Sequence, residues 1–244
     1  EQSTIADAVE ARVLEARAVV GPRTVSPEEV ASLLCRLHRG KAPGVDGVTS
    51  EHFQFGSTPA LRAALARLLT ACLSACAVPA PFAKSVVVPL LKNSKLDPNC
   101  LDNYRPISIT TCASKLLELM VLDELQLSFV PHDLQYGFVA ARGTAEASLL
   151  VEETILQNRR VGLPVFSANL DARKCFDRIW HDGLFYHLIH HLSANSWLLV
   201  VQWYRQLTGR VIFGGVTSPE FEVLRGTRQG AILSPAHSGP DRSQ

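Results

Sequence analysis

The hydrophobic period of this chain changes at Pro164. Upstream, from Ala145 to Arg160, apolar residues recur at helical spacing; downstream, Phe166, Ala168 and Leu170 alternate with Val165, Ser167 and Asn169 until the chain reaches Asp171. A helix followed by a strand that hands over a carboxylate at its C-terminal end predicts a mixed α+β chain with a carboxylate at the rim of a sheet. Such a carboxylate has two readings. An Asp after a strand caps the next turn, or it holds a Mg²⁺ ion beside phosphates where the strand ends open onto a cleft.

The remaining segments repeat this mixture. Ile5 to Val20 reads as a helix, and Ser26-Pro27-Glu28-Glu29 reads as an N-cap, a first-turn proline and an acidic first turn of a second helix that stops near Gly40. Lys41 to Gly47 is turn chemistry, and Leu61 to Cys76 is again helical. Ser85 to Leu91 is a β-branched run with an internal proline, which predicts an edge strand; a turn at Asp97-Pro98-Asn99 returns the chain to a second strand around Tyr104 to Ile109. The hairpin ends hold Lys92 and Arg105, two cations able to converge on one anion, although a solvated loop lysine is an equal reading of Lys92. Further helices are predicted from Cys112 to Leu127, from Ala145 to Arg160 with Thr144 as cap, and from Gly183 with Asp182 as cap. Arg210 to Phe213 and Phe221 to Leu224 read as a hairpin around Gly214-Gly215, ahead of the glycine-bounded loop Gly226 to Gly230.

Composition narrows the class without naming a function. In 244 residues, 47% are hydrophobic and 19% charged, as in ordinary globular domains. The formal net charge is only +1, so a nucleic-acid surface has to be local. Even the apolar stretch Leu61 to Val78 carries Arg62 and Arg67, which excludes it as a membrane span. The six cysteines form no C-x-x-C pair, and the expected state is reduced, mostly buried thiols in an intracellular protein. With Glu1-Gln2 at the start and no initiator Met, the chain reads as a fragment of something longer.

Five short motifs stand in a fixed order. They are Lys41-Ala42-Pro43-Gly44-Val45-Asp46-Gly47; Asn103-Tyr104-Arg105-Pro106-Ile107-Ser108 with Lys115-Leu116-Leu117-Glu118; Gln135-Tyr136-Gly137-Phe138 with Arg142-Gly143-Thr144; Leu170 to Asp177; and Gly226-Thr227-Arg228-Gln229-Gly230 with Leu233-Ser234-Pro235. Together, from about Lys41 to Ala236, they resemble the reverse transcriptases of non-LTR (LINE-type) retrotransposons. The resemblance implies an incomplete right-hand polymerase fold, fingers plus partial palm, with an antiparallel sheet and flanking helices. Residues 1–40 would be an N-terminal helical extension, 41–236 the fingers and palm, and 237–244 an aberrant tail. It implies an RNA template, a DNA primer, deoxynucleoside triphosphates, two Mg²⁺ ions in the intact parent, and action in the nucleus. Residue by residue, Asp171 would be the catalytic, metal-binding aspartate. Phe176 would be the steric gate under the sugar, a role compatible with being a core aromatic. Arg105, with Lys92 beside it, would pair with the triphosphate; Gln229 and Gly230 would lie against nucleotide and template.

The departures also have consequences. Cys175 stands where the family usually has alanine, a small-for-small exchange. After Ser234-Pro235 the family continues with an apolar helix and a hairpin bearing paired aspartates, whereas this chain turns to Ala236 to Gln244, has no Asp-Asp pair, and reads as a frameshift or premature end. One aspartate does not hold two ions about 3.5–4 Å apart, so this fragment is expected to be inactive alone, and a noncatalytic nucleic-acid-binding remnant is the rival reading. Asp177 is expected to face away and bond locally to backbone or Arg178. His187 and His190 are expected on the solvent side of their helix, Glu152-Glu153 on a solvated face, and Cys72 and Cys76 in the core.

Overall fold

The computed structural model describes residues 2–137, 139, 141–171, 174–230 and 232–233. Ten helices and a small mixed sheet are found among them: α1 (Gln2–Val19), α2 (Pro27–Cys35), α3 (Ser50–Phe55), α4 (Pro59–Ala75), α5 (Ala80–Ala83), β1 (Lys84–Leu91), β2 (Tyr104–Ile109), α6 (Cys112–Ser128), α7 (Thr144–Arg160), α8 (Cys175–Arg178), α9 (His181–Leu188), α10 (Ala194–Arg205), β3 (Thr208–Phe213), β4 (Val216–Thr217) and β5 (Phe221–Glu222). The α+β expectation is met, but the antiparallel sheet is not. The order is β2-β1-β3-β4 with β5 also on β3, and β1 runs parallel to β3.

Local chemistry accounts for most boundaries. Ser26 and Thr58 each cap a helix whose first turn holds a proline, their hydroxyls accepting from Glu29 N at 3.1 Å and Leu61 N at 3.2 Å. Thr111 accepts from Ser114 N and opens α6 where expected. Two caps differ. Thr144 is the first helical residue of α7, and Glu146 reaches back to Gly143 N at 2.8 Å. The cap of α9 is Trp180 rather than Asp182, so the helix starts two residues before Gly183.

The core lies between α1, α2, α4, α6 and α10, with Val9, Val30, Leu69, Leu116, Trp197 and Leu199 among its buried side chains. Both indoles are satisfied inside it, Trp197 Nε1 donating to Phe185 O at 2.8 Å and Trp203 Nε1 to Phe82 O at 3.0 Å. Polar ties fasten the N-terminal helices: Arg36 forks onto Asp123 of α6 at 2.6 and 2.7 Å, and Glu124 accepts from Arg23 Nη1 at 3.3 Å and Ser196 Oγ at 2.6 Å.

Three strand expectations change. β1 is an interior strand, not an edge. Its proline is tolerated because β3 pairs only as far as Val87, and Pro89 lies beyond that register, opposite Pro106 of β2. The hairpin after Arg210 turns at Gly214-Gly215 into the short β4, and Phe221-Glu222 then returns to Gly209 and Thr208. Finally, Val165 to Leu170 forms no strand: these residues are exposed, with Phe166 92% and Leu170 99% accessible. Alternation defines two faces of a strand but supplies no partner for its backbone, and none is present among the described residues.

Candidate active site

Three chain segments meet at the free edge of β2. Ser108 N donates to Gln229 O at 2.6 Å, which lays the loop Gly226 to Gly230 along that edge. The same loop binds the α8 segment, Gly226 N donating to Ile179 O and Thr227 N to Phe176 O, both at 2.8 Å. Glycine is required at two points. Gly226 has φ +84°, and a Cβ there would lie 2.8 Å from Phe176 O and from Asp177 Cα; Gly230 has φ +105°, and its Cβ would lie 3.0 Å from Ser108 O.

Side chains strengthen the junction. Gln229 Nε2 donates to Asp177 Oδ1 at 3.0 Å, so Asp177 faces the loop, which corrects the expectation of a local bond to Arg178 or backbone. His181 Nε2 lies 2.8 Å from Gly226 O. At the hairpin end, Lys92 Nζ donates to Asp102 O at 2.6 Å and Lys174 Nζ pairs with Asp102 Oδ1 at 2.7 Å, while Arg105 is exposed on β2 in register with Leu90. Asp102 thereby links the hairpin to the residue preceding α8.

Beneath the loop lies a buried ion pair. Arg228 Nη2 donates to Glu118 Oε1 at 2.7 Å, and the two side chains are only 6% and 0% exposed. Arg228 Nη1 donates to Phe82 O at 3.0 Å, and the guanidinium stands 5.0 Å over the Trp203 ring. The second Glu118 oxygen accepts from Ile232 N. Tyr204, buried close by, has its hydroxyl pushed up to about 12 by burial, which outweighs the attraction of Arg228.

The structure therefore gathers Phe176, Gln229 and Gly230 around β2, and places Lys92 and Arg105 at one end of the β1–β2 hairpin. Asp171 is exposed at the end of the unpaired run. Among the described residues no three His, Cys, Asp or Glu side chains gather to hold a metal, so these residues do not by themselves complete a two-ion centre. Motif spacing alone gives no role to Asp102, Glu118 or Arg228, which the structure places at the fastenings of the site. A signal existed for Glu118, a single carboxylate inside Leu116-Leu117-Glu118-Leu119-Met120, since a charge in a buried apolar run requires a partner. His187 and His190 are exposed, and Cys72 and Cys76 are buried, as expected. Burial raises the thiol pKa of Cys72, Cys76 and Cys112, whereas Cys35, Cys100 and Cys175 are exposed, so burial holds for half of the cysteines. No helix among the described residues is long and apolar enough to cross a membrane.

A family described as reverse transcriptase (RNA-dependent DNA polymerase) matches residues 91–238, a span that includes all six candidate site residues. The chain is 27% identical over 215 residues to the RNA-directed DNA polymerase from mobile element jockey of Drosophila melanogaster, covering 86% of this chain and 23% of that protein. It is 28% identical over 229 residues to an uncharacterized protein of transposon TX1 of Xenopus laevis, covering 86% and 16%. It is also 25% identical over 203 residues to the Pol polyprotein of retrotransposable element R2DM of Drosophila melanogaster, covering 82% and 18%. The chain thus spans less than a quarter of the length of these relatives.

Proposed function

The chain belongs to the reverse transcriptase (RNA-dependent DNA polymerase) family, and from that membership we propose that it is the fingers and part of the palm of a non-LTR retrotransposon polymerase. The proposed domain layout is a helical extension over 1–40, the polymerase part over 41–236 and a tail over 237–244, the tail lying outside the described residues. The intact parent would copy an RNA template from a DNA primer with deoxynucleoside triphosphates, and in the nucleus.

The observation that carries this reading is the junction at β2. Phe176 is far in the sequence from Gln229 and Gly230, and β2 is farther still, yet backbone hydrogen bonds through Thr227 and Ser108 bring the three segments together. In this proposal the Phe176 ring lies under the sugar and the Gln229-Gly230 backbone against the base, roles that a rigid aromatic and a residue without a side chain can fill. Arg105, with Lys92, is the proposed contact for the triphosphate, because a guanidinium forks onto phosphate oxygens. Lys174 belongs to the same end of the hairpin, held by Asp102.

Divalent metal ions serve this family generally, and Asp171 is the proposed aspartate for the two Mg²⁺ ions of the intact parent. Those ions would supply charge stabilisation at the reacting phosphate. Because Asp171 is a single carboxylate, the chain alone is proposed to be inactive; the same observation favours the second reading, a noncatalytic nucleic-acid-binding remnant. Primer extension tests both. Labelled deoxynucleotide incorporation equal to that of an Asp171→Ala control is expected, and incorporation above that control overturns the inactivity. A nucleotide titration separates the readings: saturable binding of a fluorescent deoxynucleoside triphosphate, weakened by Arg105→Ala, supports the polymerase site, and RNA binding without nucleotide binding supports the remnant.

A further inference from the structure

We propose that Arg228 and Glu118 form a positioning latch that sets the Gln229-Gly230 tip against β2, an inference that rests on the reading of that tip as a nucleotide contact. Neither residue touches nucleotide in this proposal.

The geometry is that of a clamp with two jaws. One Glu118 oxygen holds the Arg228 guanidinium at 2.7 Å, and the other holds the backbone amide of Ile232. Gln229 and Gly230 lie in sequence between these two attachments, so a carboxylate on α6 grips the chain on either side of the tip. The guanidinium is itself fixed, by Phe82 O at 3.0 Å and by the Trp203 ring, and Trp203 Nε1 binds the same carbonyl at 3.0 Å. The loop is therefore referenced to α5, α6 and α10, the packed side of the molecule, while its tip reaches the sheet edge through Ser108 and the α8 segment through Asp177.

A buried ion pair is weak evidence for stability, since apolar residues of similar volume often do as well. Its value here is directional. A planar guanidinium with three fixed neighbours admits one orientation, and a carboxylate using both oxygens admits one separation between its two partners. A leucine and a methionine in the same volume would fill the core and leave the tip unreferenced.

Amide hydrogen exchange of the full chain reads the latch directly, because exchange at Ser108 and Thr227 reports release of the loop and exchange at Val200 and Trp203 in α10 reports the core. Glu118→Gln keeps shape and one acceptor but turns an amide donor toward Ile232 N. Exchange at Ser108 and Thr227 is expected to rise by about 10- to 100-fold, the loss expected when a hydrogen bond to a charged group is removed, with α10 unchanged. Arg228→Lys, which keeps the charge and one donor, is expected to show a smaller rise at the same amides. Unchanged exchange at Ser108 and Thr227, or an equal rise in α10, overturns the latch; the second result identifies a merely structural pair. If either variant fails to fold, the other decides by the same amides, and loss of folding in both is the structural result and overturns the proposal. The functional arm is the affinity for fluorescent deoxynucleoside triphosphate, expected to fall about tenfold in Glu118→Gln and to be partly retained in Arg228→Lys. Absence of nucleotide binding by the unsubstituted chain overturns the polymerase reading of the tip while the exchange result still decides the latch.

Discussion

A glycine with positive φ is required by its backbone angle, by its neighbours, or by both, and this chain separates the cases. Gly215 has φ +80° with nothing within 4 Å of a Cβ, whereas Gly226 has nearly the same angle, +84°, and backbone atoms 2.8 Å from where a Cβ would stand. Gly215→Ala should therefore cost only the left-handed strain, about 1–2 kcal/mol. Gly226→Ala carries the same strain plus contact with Phe176 O and Asp177 Cα, neither of which is the mobile end of a side chain. A further loss of about 1–3 kcal/mol is expected, read as the difference between the two variants in denaturant unfolding. Equal midpoints would mean that the α8 segment yields to the loop, and that the junction at β2 is looser than its hydrogen bonds indicate. Gln229 and Asp177 illustrate the limit of reading at this scale: spacing along one segment turned Asp177 away, because nothing local announces a partner 52 residues on.

Elements whose signals are local were legible: α2 from cap and proline, α4 from its apolar run although its Thr58-Pro59 start lies two residues earlier than expected, β1 and β2 from a β-branched run, a turn and a return. The helix α10 was not foreseen, for a physical reason. Trp197 to Val201, Trp203 and Tyr204 are all buried, and a short run so rich in aromatic and β-branched residues reads as readily as a buried strand. The run Val165 to Leu170 is the converse, a clear period of two without a paired strand, since a period specifies faces and pairing needs a second chain segment. The motif segments were legible, Glu118 and Arg228 among their residues, but the contacts by which Glu118, Arg228 and Asp102 fasten those segments join distant elements and carry no local signal. At this scale, β3 is tied to β1 and β5 by Glu220, whose carboxyl is held below the usual range by hydrogen bonds from Thr208 and Lys84 and further by Arg210. A lowered carboxylate stabilises the folded state above its unfolded-state pKa, and that contribution is lost as pH falls through the lower folded value. The melting temperature of the chain should thus exceed that of Glu220→Gln at neutral pH, the gap closing on acidification and narrowing in salt; a gap that is constant with pH would remove the ion pairs from the account. The helix α7 has no buried residue among those described, which predicts that trypsin cuts at Arg159 and Arg160 before any site in α10.

For the whole molecule, a net charge of +1 means that nucleic-acid binding depends on which cations are already committed. Lys84 pairs with Glu220, Lys174 with Asp102, Arg36 with Asp123, Arg205 with Glu10 and Arg228 with Glu118. An internal carboxylate that holds a lysine competes with phosphate for it, so Lys84 at the start of β1 is already committed, and Lys92, Lys95 and Arg105 remain exposed along the β1–β2 hairpin. Each phosphate contact on a single strand contributes about −0.7 to the slope of log K against log salt, so three such cations predict a slope of about −2 for single-stranded RNA. The joint substitution of Lys92 and Arg105 by Ala should leave about one contact and reduce the slope to about −0.7, with affinity at low salt falling in step. Replacing Lys84 with Ala should leave the slope unchanged, because its charge is already balanced by Glu220. Binding measured by fluorescence anisotropy from low to high salt decides the matter. A slope that survives loss of Lys92 and Arg105 would place the contact elsewhere than on the hairpin, and a slope of about −3.5 would mean that RNA breaks the internal ion pairs to recruit Lys84 and Lys174 as well.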